Sequence, residues 1–238
     1  MLLLPAIELR EIDLPAELSK LKQRGWIPSE RTGDTGIGKT IEECLGIREN
    51  NLGEPDCLYR GLPVELKARR ARTRSMITLF TLEPGTRRLN DVQLMQTYGY
   101  KDSKGRRALK ITLTPNDFTP QGLKLETDAQ SISIVDRNGN RPWVWSVSDI
   151  GLKLHNLCII NAESRREKGK EHFMVQTAVL ARDLDEKSFF CLVQKGVVRI
   201  DLRMHIKATG ASRNHGTAFR LLDYESLLRC YRETEKLL

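Results

Sequence analysis

Glu54-Pro55-Asp56-Cys57-Leu58-Tyr59-Arg60-Gly61-Leu62-Pro63-Val64-Glu65-Leu66-Lys67-Ala68-Arg69 reads as a β-hairpin turning at Arg60-Gly61. In Val64-Glu65-Leu66-Lys67 apolar and charged residues alternate, and strand side chains point alternately to opposite faces. Glu65 and Lys67 therefore share one face, while Val64 and Leu66 pack into a core. Asp56, just before the turn, falls where its carboxylate can meet that of Glu65 across the paired strands. Two carboxylates and an ammonium converge, the parts that hydrolysis of a phosphodiester requires: hard oxygen ligands for Mg²⁺ and a cation near the attacking water. The plainer reading of the same residues is an exposed cross-strand salt bridge.

The chain has 238 residues, 39% of them hydrophobic, enough to bury a sizeable core. No stretch approaches the ~20 apolar residues of a membrane span. Met1-Leu2-Leu3-Leu4 lacks a basic flank and stops at Pro5, which argues against a signal peptide. Cys44, Cys57, Cys158, Cys191 and Cys230 are scattered and odd in number, reading as free thiols in a reducing cytoplasm rather than a disulfide or zinc framework. A net charge of +8 tilts the chain toward a polyanionic partner. Lys67, Arg69, Arg70, Arg72 and Arg74 form a basic run from the end of the hairpin onward, read as positioning phosphate rather than as a solvated loop.

Around the hairpin, helices are expected over Pro15–Arg24, Ile37–Leu45, Leu89–Tyr98, Leu184–Lys195 and Tyr224–Leu238. Strands are expected over Met76–Thr81, Ala108–Thr114, Ser131–Val135, Trp143–Ser146, Leu157–Ala162, Phe173–Leu180, Val197–Met204 and Thr217–Leu222, with a polar loop over Ala208–His215. Trp143 and Trp145 read as packing residues. No repeat or linker stands out, so one α/β domain spans 1–238, with a catalytic part at about 26–114 and a recognition part at about 155–222.

Gly33-Asp34-Thr35-Gly36-Ile37-Gly38-Lys39-Thr40 fits the phosphate-cradling pattern G-x-x-x-x-G-K-[ST]. That pattern works only after a buried strand, and Trp26-Ile27-Pro28-Ser29-Glu30-Arg31-Thr32 is not one. A glycine loop that lets backbone and Lys39 approach a DNA phosphate at a helix N-terminus accounts for the same residues.

Thr35–Glu42, Glu49-Asn50-Asn51-Leu52, Pro55-Asp56, Glu65-Leu66-Lys67, Leu79-Phe80 and His215-Gly216-Thr217-Ala218-Phe219-Arg220 together resemble the MvaI/BcnI family of type II restriction endonucleases, in the family's order. The resemblance implies a PD-(D/E)xK nuclease fold, a central mixed β-sheet flanked by helices. It implies Mg²⁺ as cofactor, catalytic residues Glu42, Asp56, Glu65 and Lys67, and metal ligands Asp56, Glu65 and the Leu66 carbonyl. Glu42 would orient the lysine or the attacking water.

Double-stranded DNA is the implied partner, contacted through Lys39, Arg69, Arg70, Thr81, Asp201, Arg203, His215, Thr217, Ala218 and Arg220. Asp201 can accept from cytosine, while Arg203 and Arg220 can fork onto guanine. The plainer reading of Asp201 and Arg203 is a same-face ion pair. Members act as monomers that nick one strand of a short near-palindrome and then the other. Thr81 and Ala218 stand where the CCSGG-type member has histidines, which favours CCWGG. A companion DNA methyltransferase would act on the same site. The alternatives are CCSGG specificity, a mismatch-repair-type nickase, a non-catalytic DNA-binding module and a P-loop nucleotide hydrolase.

Overall fold

In a computed structural model describing residues 9–47, 54–71 and 76–238, helix α1 (Leu14–Arg24) opens where the Asp13 side chain accepts from the Ala16 amide. Strand β1 (Ile27–Pro28), helix α2 (Gly36–Cys44) and strands β2 (Cys57–Tyr59) and β3 (Leu62–Arg70) follow. Next come β4 (Ile77–Thr81), β5 (Thr86–Arg87), α3 (Asp91–Tyr98), β6 (Tyr100–Lys101), β7 (Arg107–Leu113), β8 (Leu123–Thr127), β9 (Ser131–Asp136), β10 (Trp143–Ser146) and α4 (Val147–Gly151). The chain ends through β11 (Asn156–Glu167), β12 (Lys170–Leu184), α5 (Glu186–Gln194), β13 (Val198–Ile206), β14 (Ser212–Asn214), β15 (Ala218–Leu221), α6 (Tyr224–Leu228) and β16 (Tyr231–Lys236).

These elements form two compact units. One comprises Met1–Arg74, His155–Leu184 and Tyr231–Leu238; the other comprises Ser75–Leu154 and Asp185–Cys230. These units do not follow the two parts, about 26–114 and about 155–222, expected within one domain. Residues 76–114, expected with the catalytic part, fall in the same unit as 185–230, whereas β11 and β12, expected with the recognition part, lie beside β3.

The first unit holds a mixed sheet in the order β1-β12-β11-β3-β2, with β16 on β12. Its β3 and β11 run parallel, Glu65 beside Leu157 and Lys67 beside Ile159, and the remaining pairs are antiparallel. Leu14, Leu18 and Leu21 of α1 and Ile37 and Ile41 of α2 share one buried core with Val64, Leu66, Cys158, Ile160, Phe173 and Val175. Burying residues such as Val64 and Leu66 stabilises by about 1.5–3 kcal/mol each. This packing fixes the register of β3, since a one-residue slip would turn Glu65 and Lys67 into the apolar layer.

In the second unit, a four-stranded sheet β5-β10-β9-β8 accompanies a sheet ordered β4-β15-β13-β7-β6, with β14 on β13. Val198, Ile200, Leu202 and Met204 of β13 are fully buried, which leaves Arg199, Asp201, Arg203 and His205 on its other face. Trp143 and Trp145 are buried as packing residues, their indole N–H groups donating to the Leu89 and Leu82 carbonyls.

Four elements depart from expectation. The terminal helix stops at Leu228, and Tyr231–Lys236 instead pairs antiparallel with β12, Tyr231 opposite Leu184 and Lys236 opposite Val179. An open strand edge offers backbone partners that outweigh weak helical preference. Second, the polar loop after β13 contains β14, so part of it is ladder. Third, β8 was not anticipated, although Leu123-Lys124-Leu125 alternates and both leucines are buried. Helix α3 starts two residues later than expected because Asn90 and Gln93 form a reciprocal capping box. Met1–Leu4, Glu49–Leu52, Arg72 and Arg74 lie outside the described residues.

Candidate active site and DNA-recognition face

Arg60 and Gly61 both have positive φ, 53° and 73°, as a two-residue hairpin turn demands. The resulting register sets Cys57 opposite Val64 and brings the Asp56 amide to the Val64 carbonyl at 3.0 Å. Asp56 thus stands next to Glu65. Its carboxylate accepts from the Leu66 amide at 2.7 Å, while Lys67 Nζ donates to Glu65 Oε1. Burial first, and then the neighbouring Glu65 carboxylate, push Asp56 up to about 6; the Leu66 amide and Lys67 oppose this, and Glu42 adds to it. Glu42 reaches this group from α2, which packs on β3.

The four charges sum to a net −2, three carboxylates against one ammonium, in a half-buried setting that a cation would relieve. Among the described residues, no three His, Cys, Asp or Glu side chains form a cage by themselves. Asp56 and Glu65 with the Leu66 carbonyl match an ion such as Mg²⁺, which is commonly held by one or two carboxylates together with water and phosphate oxygens.

The glycine loop before α2 is built for something other than a nucleotide. Its preceding strand, β1, is two residues at a sheet edge, paired only with β12. The Thr40 hydroxyl, which would meet Mg²⁺ in a P-loop, is fully buried; it donates to the Gly36 carbonyl and accepts from the Glu30 amide. Arg70 grips the loop from β3, donating to the Gly33 and Asp34 carbonyls at 3.1 and 3.3 Å and to Glu171 through Nε and Nη2 at 2.7 and 2.8 Å. Arg70 is therefore occupied as a brace rather than offered as a free phosphate contact. Arg69, by alternation, lies on the face of Glu65 and Lys67. Lys39 lies on α2, 4.0 Å from Glu43.

On the second unit, Asp201 is buried and its carboxylate is doubly engaged, accepting from Thr112 Oγ1 at 2.7 Å and Arg220 Nη1 at 2.8 Å. The expected same-face partner, Arg203, instead reaches the His215 carbonyl at 3.5 Å and is partly exposed. Arg220 also donates to the Met76 carbonyl at 2.9 Å. Thr81 and Ala218, 137 positions apart (218 − 81), face each other across β4 and β15.

The segment His215–Thr217 is held through its backbone. The His215 amide donates to the Arg203 carbonyl at 3.1 Å, Gly216 to Asn214 Oδ1 at 2.9 Å and Thr217 to Glu83 Oε1 at 3.0 Å. Gly216 has φ 85°, and a Cβ there would stand 3.2 Å from the Thr81 methyl. His215 is exposed, but the Thr217 and Ala218 side chains are fully buried. Thr217 and Ala218, expected to contact DNA, are thus covered, whereas Thr81 and His215, expected to do the same, remain exposed.

A model of the MvaI/BcnI restriction endonuclease family matches residues 16–228. The chain belongs to that family. It is therefore a restriction endonuclease, a site-specific deoxyribonuclease, with the PD-(D/E)xK fold. Among solved structures it is similar to restriction endonuclease MvaI in complex with cognate DNA substrate, at 28% identity over 94% of this chain and 97% of that one, with a TM-score of 0.80. It is also similar to MvaI in the absence of DNA, at 26% identity over 94% of this chain and 96% of that one, with a TM-score of 0.56. No curated protein matches the sequence.

For a member of this family, the sequence reading missed two features. His205 extends the β13 row that carries Asp201 and Arg203, its ring 6.1 Å from that of His215. It is buried, and its Nδ1 has no partner. Extending the period-two count from Asp201 by four residues would have found it. Glu83 sits outside every quoted motif, and only the tertiary fold brings it to the Thr217 amide. No helix among the described residues is long and apolar enough to cross a membrane.

Proposed function

We propose that this restriction endonuclease hydrolyses duplex DNA at a short near-palindromic site, CCWGG, as a monomer that nicks the two strands in turn with Mg²⁺. The convergence of Asp56, Glu65 and Lys67 on one hairpin carries the reading. The similarity to MvaI bound to cognate DNA supports a DNA substrate. Bound between Asp56, Glu65 and the Leu66 carbonyl, Mg²⁺ would supply polarisation of the phosphate and a more acidic water. Lys67, held against Glu65 in the free protein, stabilises negative charge on the attacking oxygen, and Glu42 orients that oxygen from α2. Attack in line with the 3′ oxygen leaves a 5′ phosphate. Thr81 and Ala218, paired where β4 ends and β15 begins, stand where the resemblance places histidines in the CCSGG-type member, which favours CCWGG. A methyltransferase of the same specificity would protect host DNA.

The deciding experiment is digestion of a plasmid of known sequence with Mg²⁺ or EDTA, followed by sequencing of the ends. Mg²⁺-dependent 5′-phosphate ends within CCWGG, with a nicked intermediate, are expected. Ends at CCSGG would overturn the specificity, nicks confined to one strand of hemimethylated DNA would point to a repair-type nickase, and intact plasmid would refute cleavage. Lys67→Ala should bind the same DNA and fail to cut it.

A further inference from the structure

Strands β11 and β12 outrun the sheet that holds the active site. Catalytic strand β3 ends at Arg70, opposite Ala162, and β1 reaches only Phe173 and His172 of β12. Beyond them the chain continues as a two-stranded ribbon, closed at Lys168-Gly169, both of positive φ, with Glu167 opposite Lys170. All seven residues from Ser164 to Lys170 are exposed. They hold Arg165, Arg166, Lys168 and Lys170 against Glu167 alone, a net +3 in seven residues of a chain whose total is +8.

The charges on this tip are not equally available. Arg165 stacks on Trp26 at 4.3 Å and pairs with Glu167 at 3.1 Å, so it is engaged at the base of the ribbon. Arg166 lies across from Glu171, whose carboxylate Arg70 already holds. Arg166, Lys168 and Lys170 form no ion pair among the described residues. Three exposed cations on a narrow ribbon present a concentrated positive charge to an approaching polyanion.

We infer that the Arg165–Lys170 tip is a phosphate-binding arm that grips duplex DNA flanking the cleavage site. The inference rests on the nuclease reading for the position of that site. Lys67 lies beside Ile159, and Lys168 stands nine positions further along the chain. At about 3.3 Å per residue the arm reaches about 30 Å from the catalytic lysine. At about 3.4 Å per base pair this is roughly nine base pairs, beyond a five-base-pair site. The contacts fall on the backbone of flanking DNA and carry no sequence information.

The test measures affinity in EDTA for duplexes with one CCWGG site and symmetric flanks of increasing length, and cleavage of the same duplexes with Mg²⁺. The variant combines Arg166→Gln, Lys168→Asn and Lys170→Gln, asparagine being chosen because position 168 has positive φ. Wild-type affinity should rise until the flanks reach about six or seven base pairs, the nine counted from the cut less the half-site, and then level off. The variant should lose this gain and cut the shortest duplex at the wild-type rate. Between 50 and 200 mM salt, long-duplex affinity should fall about 40-fold more for wild type than for the variant, the consequence of three phosphates at a slope of about 0.9 each.

Glu167→Gln, which removes the tip's only anion, should increase the flank gain. An unchanged flank gain and salt slope in the triple variant would overturn the arm, as would a weakened gain in Glu167→Gln. Cleavage with an unchanged gain sinks the arm alone; a variant-sensitive gain without any cleavage sinks the nuclease reading and leaves the arm standing.

Discussion

Asp56 stands at a position where the free protein resists negative charge. Its folded pKa of about 6 exceeds the ordinary 3.8, so the folded chain keeps this proton where the unfolded chain has lost it. Stability from this group is present below about pH 4 and is lost as pH rises to about 6. Asp56→Asn, which keeps an acceptor for the Leu66 amide, should therefore raise the melting temperature of metal-free protein at pH 8 and leave it unchanged at pH 4. The distance from 3.8 to about 6 sets a ceiling near ~3 kcal/mol, which partial exposure reduces to about 1–2 kcal/mol. The same variant should bind cognate DNA and not cleave it; full activity would refute its catalytic role. Arg203, partly exposed on β13, should on replacement by alanine lose about 1–3 kcal/mol of discrimination against a wrong base. Equal losses on cognate and random duplexes would show that it meets only phosphate.

At the scale of elements, helix α2 and its glycine loop explain why a nucleotide-binding signature appears without nucleotide-binding structure. Gly36 is needed for close packing, because a Cβ would fall 2.3 Å from the Arg31 carbonyl oxygen and 2.8 Å from Ser29 Oγ. Gly38 is not so confined, its nearest neighbour being Glu42 Oε1 at 3.7 Å. Gly36→Ala should lower stability by about 1–3 kcal/mol in urea denaturation, and should reduce turnover by displacing the helix that carries Glu42. Gly38→Ala should be neutral or stabilising by up to about 1 kcal/mol. Equal destabilisation by both would remove this account of the loop.

At the scale of the whole molecule, part of the net +8 gathers as Arg106, Lys110, Arg203 and Arg213 around His205 and His215. Burial first, and then the cations Arg106, Lys110 and Arg213 together with His215, hold His205 below its ordinary range; burial, Arg213, Arg203 and Lys110 do the same for His215. Both imidazoles therefore favour the neutral form in the free protein. A DNA phosphate brought to this face would raise both, so the complex would bind more protons than its separate parts. Affinity should then increase as pH falls from about 7.5 to 6. Calorimetry in buffers of different ionisation heat should show proton uptake, and His205→Gln should reduce it. Uptake of no protons would place the DNA away from both histidines.

What could be read from sequence was local. Alternation in Val64–Lys67, the Arg60-Gly61 turn and the order of the short motifs were enough for the hairpin, its convergent charges and the family, because strand periodicity and turn stereochemistry act between near neighbours. Even the rejection of the P-loop followed from its preceding residues. Long-range partners lay beyond this reach. That Asp201 is held by Arg220, that Arg70 closes on Glu171, and that Thr81 meets Ala218 all depend on strand neighbours distant in sequence. At the C-terminus, the continuation of the helix expected beyond Leu228 becomes β16. Local preference there is weak, and the free backbone edge of β12, supplied by the tertiary structure, decides the outcome.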